Sequence, residues 1–287
     1  MFERLRQLRQ RYGLRRGLPR ELWLQYSRLF RRVSLRKLTQ DLRDLGIRSG
    51  DVVFVHISFS RLGHVVGGPT TLIRALEAAV GPEGTLMMPA YSTGGLPYNW
   101  VIRSPVFDVR QTPSDVGVVP EVFRLQSSTI RSLHPTHSVC AKGRAASALI
   151  DGHRKAIRPF GVGTPFMRMA QFKGKGLLLG AQLRNFTTLR IIEDYMGDDY
   201  PIGVYCSEPY SIEVIDYSGT RATVQTLVPD PKWSRRRDGN LLLPGLKRLG
   251  DIREGSVGNA PTLLIDCSNL LTHLQELTLQ GVLAYRL

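Results

Sequence analysis

The stretch of this sequence best suited to chemistry runs from Leu177 to Asp194. An apolar run, Leu177 to Gly180, leads through a polar loop to Thr187 and Thr188, which open an apolar-periodic segment with acids behind it. This order predicts a buried strand that continues through a loop into the N-terminus of a helix. Loops at strand ends expose polar groups to a cleft while the scaffold holds them still, so we expect a functional site here.

A cation and two acids follow one another at helical spacing within this stretch. Glu193 lies three residues after Arg190 and Asp194 lies four residues after it, so each acid can share a helix face with the guanidinium. The spacing favours an ion pair, but the guanidinium is equally suited to a carboxylate or phosphate of a ligand, or to an oxyanion. A structural and a chemical interpretation therefore both stay open.

A second polar loop follows another predicted strand. The β-branched run 52–56 predicts that strand, a Ser- and Gly-rich loop extends to Gly68, and Pro69 begins a helix that reaches about Val80. Residues 85–88 predict the next strand. Strand, loop, helix and strand in this order predict a βαβ-like unit within an α/β fold. The loop before the helix offers amides and hydroxyls to an anionic or amide-bearing ligand.

The remaining pattern is that of one α/β domain without repeats or a linker. Ser34 caps a predicted helix over 35–45 that stops at Gly46, while residues 91–120 lack periodicity and predict a long binding loop. Further helices are predicted over 121–125, 145–150, 165–172 and 270–280, and further strands over 139–141, 210–215, 220–227 and 259–265.

The 287 residues carry a formal net charge of +15, and this charge is unevenly distributed. Residues 1–48 hold 14 Lys or Arg against four acids, whereas residues 191–220 hold seven acids and no Lys or Arg. A charge of this size suits phosphates, an anionic membrane surface or nucleic acid. Nucleic acid is the least suited, because the basic segments lack interleaved aromatic residues and no recognition motif occurs.

Residues 1–34 predict an Arg-rich helical extension, with short amphipathic helices over 2–12 and 20–32 that pack on their own domain or lie on an anionic lipid surface. The charged start is no secretory signal, and no run approaches the roughly 18 apolar residues of a membrane helix. The three cysteines lack metal-ligand spacing. We therefore expect no metal and a reducing, cytoplasmic location.

Nine segments of the sequence resemble the aminoglycoside 3-N-acetyltransferase family, the antibiotic N-acetyltransferases that use acetyl-CoA. These segments are 56–63, 66–68, 81–89, 107–114, 131–138, 161–165, 177–180, 185–193 and 255–260. The resemblance covers the chain from about residue 35 to its C-terminus, in the right order. It implies a single domain over residues 35–287 with a mixed central sheet flanked by helices, a fold distinct from that of the GNAT acetyltransferases.

The resemblance implies an acyl-CoA-dependent N-acyltransferase, with acetyl-CoA as co-substrate and the amine of an amino sugar as acceptor. Aminoglycosides are the family's best-known acceptors, which connects the chain to antibiotic resistance. Two alternatives stay open: an N-acyltransferase for a nucleotide-linked amino sugar in polysaccharide biosynthesis, and a CoA-binding relative without acetyltransferase activity. A homodimer is also left open.

The resemblance further implies where CoA and the acceptor bind. The loop 58–68 and the segment 112–114 are expected to hold the pantetheine and phosphates of CoA, and Arg61 either pairs with a phosphate or lies in solvent. The expected CoA contacts are Ser58, Ser60, Leu62, Gly63, Val66, Gly67, Gly68, Thr112, Ser114, Thr187 and Thr188. The expected acceptor contacts are Tyr91, Asp194, Asp198 and Glu208. Acids suit a cationic amino sugar.

One position departs from the family's pattern. The family's general base is a histidine in an Asn-Thr-x-x-His-x-x-Glu-like segment, and Arg190 occupies that position here. Arginine cannot accept a proton at neutral pH, because its pKa exceeds about 12. His56, His134 or His137 can serve instead, as can Glu193 if burial raises its pKa. The expected catalytic residues are Glu193, Arg190, His56 and His137.

Overall fold

The structure of the chain is a computed structural model that describes residues 31–287. Its helices are α1 (Leu35–Leu45), α2 (Gly68–Val80), α3 (Pro97–Val101), α4 (Val118–Arg124), α5 (Ala146–Ile150), α6 (Pro165–Gln171), α7 (Ile191–Met196), α8 (Pro231–Arg236), α9 (Leu243–Arg248) and α10 (Leu270–Leu279). Its strands are β1 (Arg32–Val33), β2 (Val52–Ile57), β3 (His64–Val65), β4 (Thr85–Pro89), β5 (Val106–Asp108), β6 (Ile130–Arg131), β7 (Val139–Gly143), β8 (Lys175–Leu179), β9 (Tyr210–Ile215), β10 (Arg221–Thr226), β11 (Ile252–Val257) and β12 (Ala260–Asp266). Short 3-10 helices in the loops after β2 and β8 span Phe59–Arg61, Leu183–Asn185 and Thr187–Arg190.

A mixed sheet of seven strands, ordered β11-β12-β8-β2-β4-β7-β6, forms the centre of the fold. β2 runs parallel to both β4 and β8, whereas the outer strands pair antiparallel. The register aligns Ile57 at the end of β2 with Leu179 at the end of β8. The loops that follow these two strands therefore leave the sheet side by side at the same edge.

Apolar layers cover both faces of this sheet. Val53 and Val55 of β2 pack with α1 and α2 in one layer, whereas Phe54 packs in the other layer with Phe186. Alternate residues of a strand point to opposite faces, so His56 lies on the same face as Phe54. The core thereby determines which side of the sheet the His56 ring occupies.

The first helix and the βαβ unit form as the sequence predicts. α1 begins after Ser34, whose Oγ accepts a hydrogen bond from the Lys37 amide at 3.2 Å, and it ends at Gly46 in the left-handed conformation. β2, α2 and β4 follow in the predicted order, with β2 and β4 parallel. The predicted α/β class with a mixed central sheet is confirmed.

Two regions differ from the prediction because their strands depend on distant partners. The predicted loop over residues 91–120 contains α3, β5 and the start of α4. β5 pairs with β9, far along the chain, in a three-stranded sheet ordered β10-β9-β5. β11 was not predicted, because this edge strand is mostly exposed and lacks an apolar run. Local periodicity does not reveal pairings of this kind.

The predicted helix over 2–12, and most of that over 20–32, lie outside the described residues. At the end of the second range the prediction is wrong, because Arg32 belongs to β1, which pairs in parallel with β3. The boundary at residue 34, the homodimer, the membrane contact and the cytoplasmic location stay predictions. Within residues 31–287, no helix is long and apolar enough to cross a membrane.

Candidate active site

A cleft of about 530 Å³ opens at the sheet edge where β2 and β8 end. Its lining residues are His56, Ile57, Ser58, Arg61, Pro89, Tyr91, Val116, Pro120, Gly180, Ala181, Gln182, Arg184 and Asn185. The loops after β2, β4 and β8 supply most of them. The structure thus brings His56, Ser58 and Tyr91, which the sequence nominates for different roles, to one cleft.

The charge of the cleft comes from arginines. Arg61 and Arg184 line it, and the lining residues described above include no carboxylate. Arg61 also joins two of the loops, because its Nη1 donates to the carbonyl oxygen of Gly180 at 3.0 Å. A cleft with two guanidiniums and no acid attracts an anionic ligand.

Tyr91 links the cleft to the segment that follows β8. Its hydroxyl donates to Oγ1 of Thr187 at 2.7 Å. Burial raises the pKa of the Tyr91 phenol, so the group stays protonated and remains a hydrogen-bond donor. The adjacent Thr188 is buried, and its Oγ1 has no hydrogen-bond partner in the described part of the chain.

Arg190 is buried and does not line the cleft. Its Nη2 lies 2.8 Å from Oε2 of Glu193, as an ion pair without hydrogen-bond alignment, and its guanidinium lies 4.8 Å from the centroid of the Phe160 ring. Burial opposes the charge and is the largest single effect, but Glu193, Tyr285, Tyr205 and Asp194 together outweigh it and raise the pKa of Arg190. Arg190 therefore stays cationic and cannot accept a proton.

Two further side chains hold Glu193, which is 1% exposed. The hydroxyl of Tyr285 donates to Oε1 of Glu193 at 2.7 Å, and Nε of Arg237 lies 3.7 Å from the same oxygen. Arg237 also donates from Nη1 to the carbonyl oxygen of Arg184 at 3.1 Å, which connects these groups to a loop of the cleft. We call Arg190, Glu193, Arg237 and Tyr285 the buried ionic network.

Among the histidines of residues 31–287, His56 alone lines the cleft. Its ring centroid lies 4.7 Å from that of Phe54 and 5.6 Å from that of Phe186. Its Nε2 is buried, and no described residue forms a hydrogen bond with it. Burial lowers the pKa of His56 to about 3, so the ring is neutral.

His137 belongs instead to a packed cluster of histidines that contacts Tyr91. Its Nδ1 lies 2.9 Å from Oγ1 of Thr136, and its ring centroid lies 5.3 Å from that of Tyr91. His134 stacks on His153 with their centroids 4.4 Å apart. Burial lowers the pKa of all three histidines. Residues 31–287 contain no group of three or more His, Cys, Asp or Glu side chains arranged to hold a metal ion.

A family model described as aminoglycoside 3-N-acetyltransferase matches residues 54–278. The chain belongs to this family. The resemblance inferred from the nine segments is therefore confirmed. A curated member, aminoglycoside N(3)-acetyltransferase VIII of Streptomyces fradiae, is 40% identical over 170 residues, which cover 55% of this chain and 59% of that relative. For three curated members the match spans about three-fifths of the relative's length, from 59% to 62%.

Solved structures of aminoglycoside 3-N-acetyltransferases share the fold of this chain. Aminoglycoside acetyltransferase AAC(3)-Xa has a TM-score of 0.78 at 27% identity and covers 91% of this chain and 97% of its own. AAC-IIIb, solved as a binary complex with CoASH, has a TM-score of 0.72 at 26% identity and covers 88% and 98%. These similarities confirm the predicted fold.

The predicted CoA residues in the loop after β2 occupy three kinds of position. Ser58 lines the cleft. Leu62 is fully buried, so its side chain packs in the core and does not face the cleft. The others do not line the cleft and occur along the chain from the 3-10 helix Phe59–Arg61 to the first turn of α2; they are Ser60, Gly63, Val66, Gly67 and Gly68. Unpaired amides at the start of a helix suit phosphate.

Thr112 and Ser114, the other predicted CoA contacts before α4, differ in how their hydroxyls are used. Oγ1 of Thr112 accepts a hydrogen bond from the Asp108 amide at 2.8 Å. The amide of Ser114 donates to Oε2 of Glu121 at 2.9 Å, while its Oγ is buried without a partner in the described chain. Ser114 lies two residues before Val116 of the cleft wall, so its hydroxyl is the better placed of the two to bind a ligand.

Asp194, a predicted acceptor contact, is turned away from the cleft. Its Oδ1 accepts from the Tyr205 hydroxyl at 2.5 Å, and its Oδ2 accepts from the Phe160 amide at 2.6 Å. Burial raises the pKa of Asp194 to about 7. Both carboxyl oxygens are therefore used to position neighbouring chain segments.

The other predicted acceptor acids also lie outside the cleft. Asp198 has a fully exposed side chain, with its Oδ1 2.8 Å from Nη2 of Arg158, and Glu208 is exposed. Neither residue lines the cleft, so Tyr91 alone of the four predicted acceptor contacts does. The acids of residues 191–220 therefore do not line the cleft.

Sequence reasoning did not single out several residues that shape the site. Gln182 and Arg184 line the cleft, and their position directly after β8 is a signal that could have identified them. Arg237 and Tyr285 reach Glu193 from distant parts of the chain. No local pattern indicates these two contacts.

Proposed function

We propose that this chain transfers the acetyl group of acetyl-CoA to the amine of an amino sugar, with aminoglycosides as the first acceptors to test. The observation that carries the proposal is the cleft at the ends of β2 and β8, whose walls come largely from segments typical of the aminoglycoside 3-N-acetyltransferase family. Ligands of α/β folds bind at the carboxyl ends of parallel strands. A volume of about 530 Å³ is within the range of small-molecule sites.

Charge supports CoA as the co-substrate of this cleft. CoA carries phosphates, and the cleft offers the guanidiniums of Arg61 and Arg184 without an opposing acid on its walls. Ser58 and the amides at the start of α2 are suited to pantetheine amides and phosphate oxygens. The family member bound to CoASH, similar over 88% of this chain, supports the same assignment.

The reaction joins the acceptor nitrogen to the carbonyl carbon of the thioester and then breaks the carbon–sulfur bond. The amine gives up one proton, and CoA leaves as the free thiol. Tyr91, with a protonated hydroxyl on the cleft wall, is the residue we propose for contact with the acceptor. The loops after β2 and β8 leave the sheet side by side, and we propose that they align the two reactants, which is a large part of the catalytic task.

A second acceptor class is favoured by the charges on the cleft wall. Two arginines line the cleft, whereas Asp194, Asp198 and Glu208 lie outside it. A polycationic aminoglycoside gains little from such a wall. A nucleotide-linked amino sugar carries a diphosphate that no carboxylate of the cleft wall repels, so it is the second candidate.

Thermal unfolding with CoA tests the binding claim. Saturating CoA stabilises the folded chain by RT ln(1 + [CoA]/Kd), about 2.7 kcal/mol at a hundred times Kd. We expect Arg61→Ala to lose much of this shift, whereas Arg235→Ala, on the exposed end of α8, keeps it. No stabilisation of the wild-type chain at millimolar CoA would contradict the claim.

Thiol release from acetyl-CoA tests the transfer. Aminoglycosides and nucleotide-linked amino sugars are compared as acceptors, with their N-acetylated forms as controls that lack a free amine. Thiol release with aminoglycosides supports the first acceptor class, and release only with nucleotide-linked sugars supports the second. A chain that binds CoA but releases no thiol with either class is the non-catalytic relative.

A further inference from the structure

Acetyl transfer requires a proton acceptor, and Arg190 occupies the position at which the resemblance implies a histidine base. An amine of ordinary basicity carries a proton at neutral pH and has no free electron pair for attack on the thioester. Arg190 is a permanent cation of the buried ionic network, and Glu193 is engaged there by Tyr285 and by two guanidiniums. Neither Arg190 nor Glu193 lines the cleft.

The residues on the cleft wall include few groups able to take a proton. Arg61 and Arg184 are cations, and the raised pKa of Tyr91 keeps its phenol protonated. The remaining side chains are hydroxyl, amide, proline or aliphatic groups, apart from the imidazole of His56. Of these, only a neutral imidazole offers a basic nitrogen lone pair.

The surroundings of His56 also suit a base. It is the penultimate residue of β2, and its ring packs against Phe54 and Phe186, with Nε2 buried and without a hydrogen-bond partner among residues 31–287. His137, by contrast, has its Nδ1 occupied by Thr136 and lies outside the cleft wall. A general base needs a nitrogen within reach of the substrate and not committed to another partner.

We infer that His56 accepts the proton of the acceptor amine, in place of the histidine whose position Arg190 occupies. This inference rests on the proposed acetyl transfer. The ammonium form of the acceptor first loses one proton to solvent. As the carbon–nitrogen bond of the free amine forms, a second proton moves from its nitrogen to the imidazole of His56. As the carbon–sulfur bond breaks, the imidazolium returns that proton to the departing sulfur, so the products are the amide and the CoA thiol and His56 is neutral again.

Burial makes His56 a neutral but weak base. Its pKa falls to about 3, with burial in its apolar surroundings as the cause, and the other ionisable groups on the cleft wall are Arg61, Tyr91 and Arg184. A base and its substrate transfer a proton best when their pKa values are close.

The test compares His56→Gln with His273→Gln, a matched substitution outside the cleft. His273 lies on α10, and its Nδ1 is 2.7 Å from Oδ2 of Asp251. We expect His56→Gln to lower kcat/KM for an aliphatic amine by about 100-fold or more, the usual contribution of a general base. We expect His273→Gln to keep the wild-type rate, and both variants to keep the CoA-dependent rise in Tm.

A second acceptor separates a base from a residue that only supports the fold. A structural defect lowers the rate by the same factor for every acceptor. Attack by hydroxylamine, a much less basic amine, produces a more acidic N–H group whose proton is lost with less help from a base, so the defect of His56→Gln should shrink by about tenfold or more with this acceptor. Where His56→Gln does not fold, His56→Ala with added imidazole takes its place, and recovery of about tenfold in rate is expected.

The measurements distinguish an incorrect role of His56 from an incorrect proposed function. A folded His56→Gln chain that keeps the wild-type rate, or that loses the same factor with both acceptors, overturns the role of His56 and leaves the proposed function intact. A folded His56→Ala chain without recovery in imidazole does the same. A wild-type chain that binds CoA but releases no thiol with any amine overturns the proposed function, and the role of His56 with it.

Discussion

The loop after β8 connects the cleft wall with the buried ionic network, but the two regions differ in whether their ionisable groups are paired with an opposite charge. On the wall, His56 has an uncommitted nitrogen and Tyr91 a protonated hydroxyl. In the network, Arg190 and Glu193 are buried with their charges paired. The spacing of Arg190 and Glu193 thus forms a buried ion pair in this chain, whereas His56, at the end of β2, has no hydrogen-bond partner for its Nε2 among the described residues.

The largest effect is expected where the network loses its negative charge. Glu193→Gln leaves Arg190 and Arg237 buried without a counter-charge, so we expect the free energy of unfolding to fall by about 3–5 kcal/mol. Urea unfolding measures the loss. Asp198→Asn, which breaks the exposed pair with Arg158, serves as control and should change stability little. Equally small losses of stability in both variants would show that Arg190 and Arg237 do not depend on Glu193 as a buried counter-charge.

The pH dependence of stability tests the protonation of Asp194, the residue directly after Glu193. Asp194 has a folded-state pKa raised by burial to about 7, so the folded chain keeps a proton that the unfolded chain has lost above its ordinary pKa of about 4. The stability from this group is present at low pH and is lost as pH rises from about 4 to 7, by up to about 1.4 kcal/mol per pH unit. We expect Asp194→Asn to flatten this slope in urea unfolding between pH 4 and pH 8. A variant with the wild-type slope would contradict the assignment.

Local chemistry explains which parts of the fold and site could be predicted. Ser34 and Gly46 bound α1 because a cap and a left-handed turn depend on neighbouring residues alone. The Arg190 and Glu193 pair likewise follows from a spacing of three residues. The loop after β2 was recognised because a strand, glycines and a proline-started helix occur in sequence.

Contacts between distant residues explain what could not be predicted. Arg237 and Tyr285 complete the network from the C-terminal part of the chain, and nothing near them indicates Glu193 as their partner. Composition likewise does not indicate which way the predicted acceptor acids face. Asp194 turns inward because the Tyr205 hydroxyl and a backbone amide bind it, and the charge of a segment says nothing about such directions.

On the cleft wall, a smaller effect is expected from the packing behind His56. A Cβ added to Gly176 of β8 would lie 2.3 Å from Cζ of Phe186, whose ring supports His56. We expect Gly176→Ala to cost about 1–3 kcal/mol in urea unfolding and to lower the acetyl transfer rate through displacement of Phe186. Gly203→Ala is the matched control, because a Cβ there has no atom within 4 Å. Normal stability and rate in Gly176→Ala would mean that Phe186 does not fix the His56 ring.

The smallest effect on stability is expected from the adjacent hydroxyls of Thr187 and Thr188, in the segment between the cleft wall and the buried ionic network. Thr187→Val removes the acceptor of the Tyr91 hydroxyl, so we expect a loss of about 0.5–1.5 kcal/mol in urea unfolding. Thr188→Val is the matched substitution, and its hydroxyl is buried without a partner in the described chain. Replacing an unpaired buried hydroxyl by a methyl group of similar shape removes a desolvation cost, so stability should stay equal or rise. A larger loss of stability in Thr188→Val than in Thr187→Val would show that the Thr188 hydroxyl, and not the hydrogen bond between Tyr91 and Thr187, supports this segment.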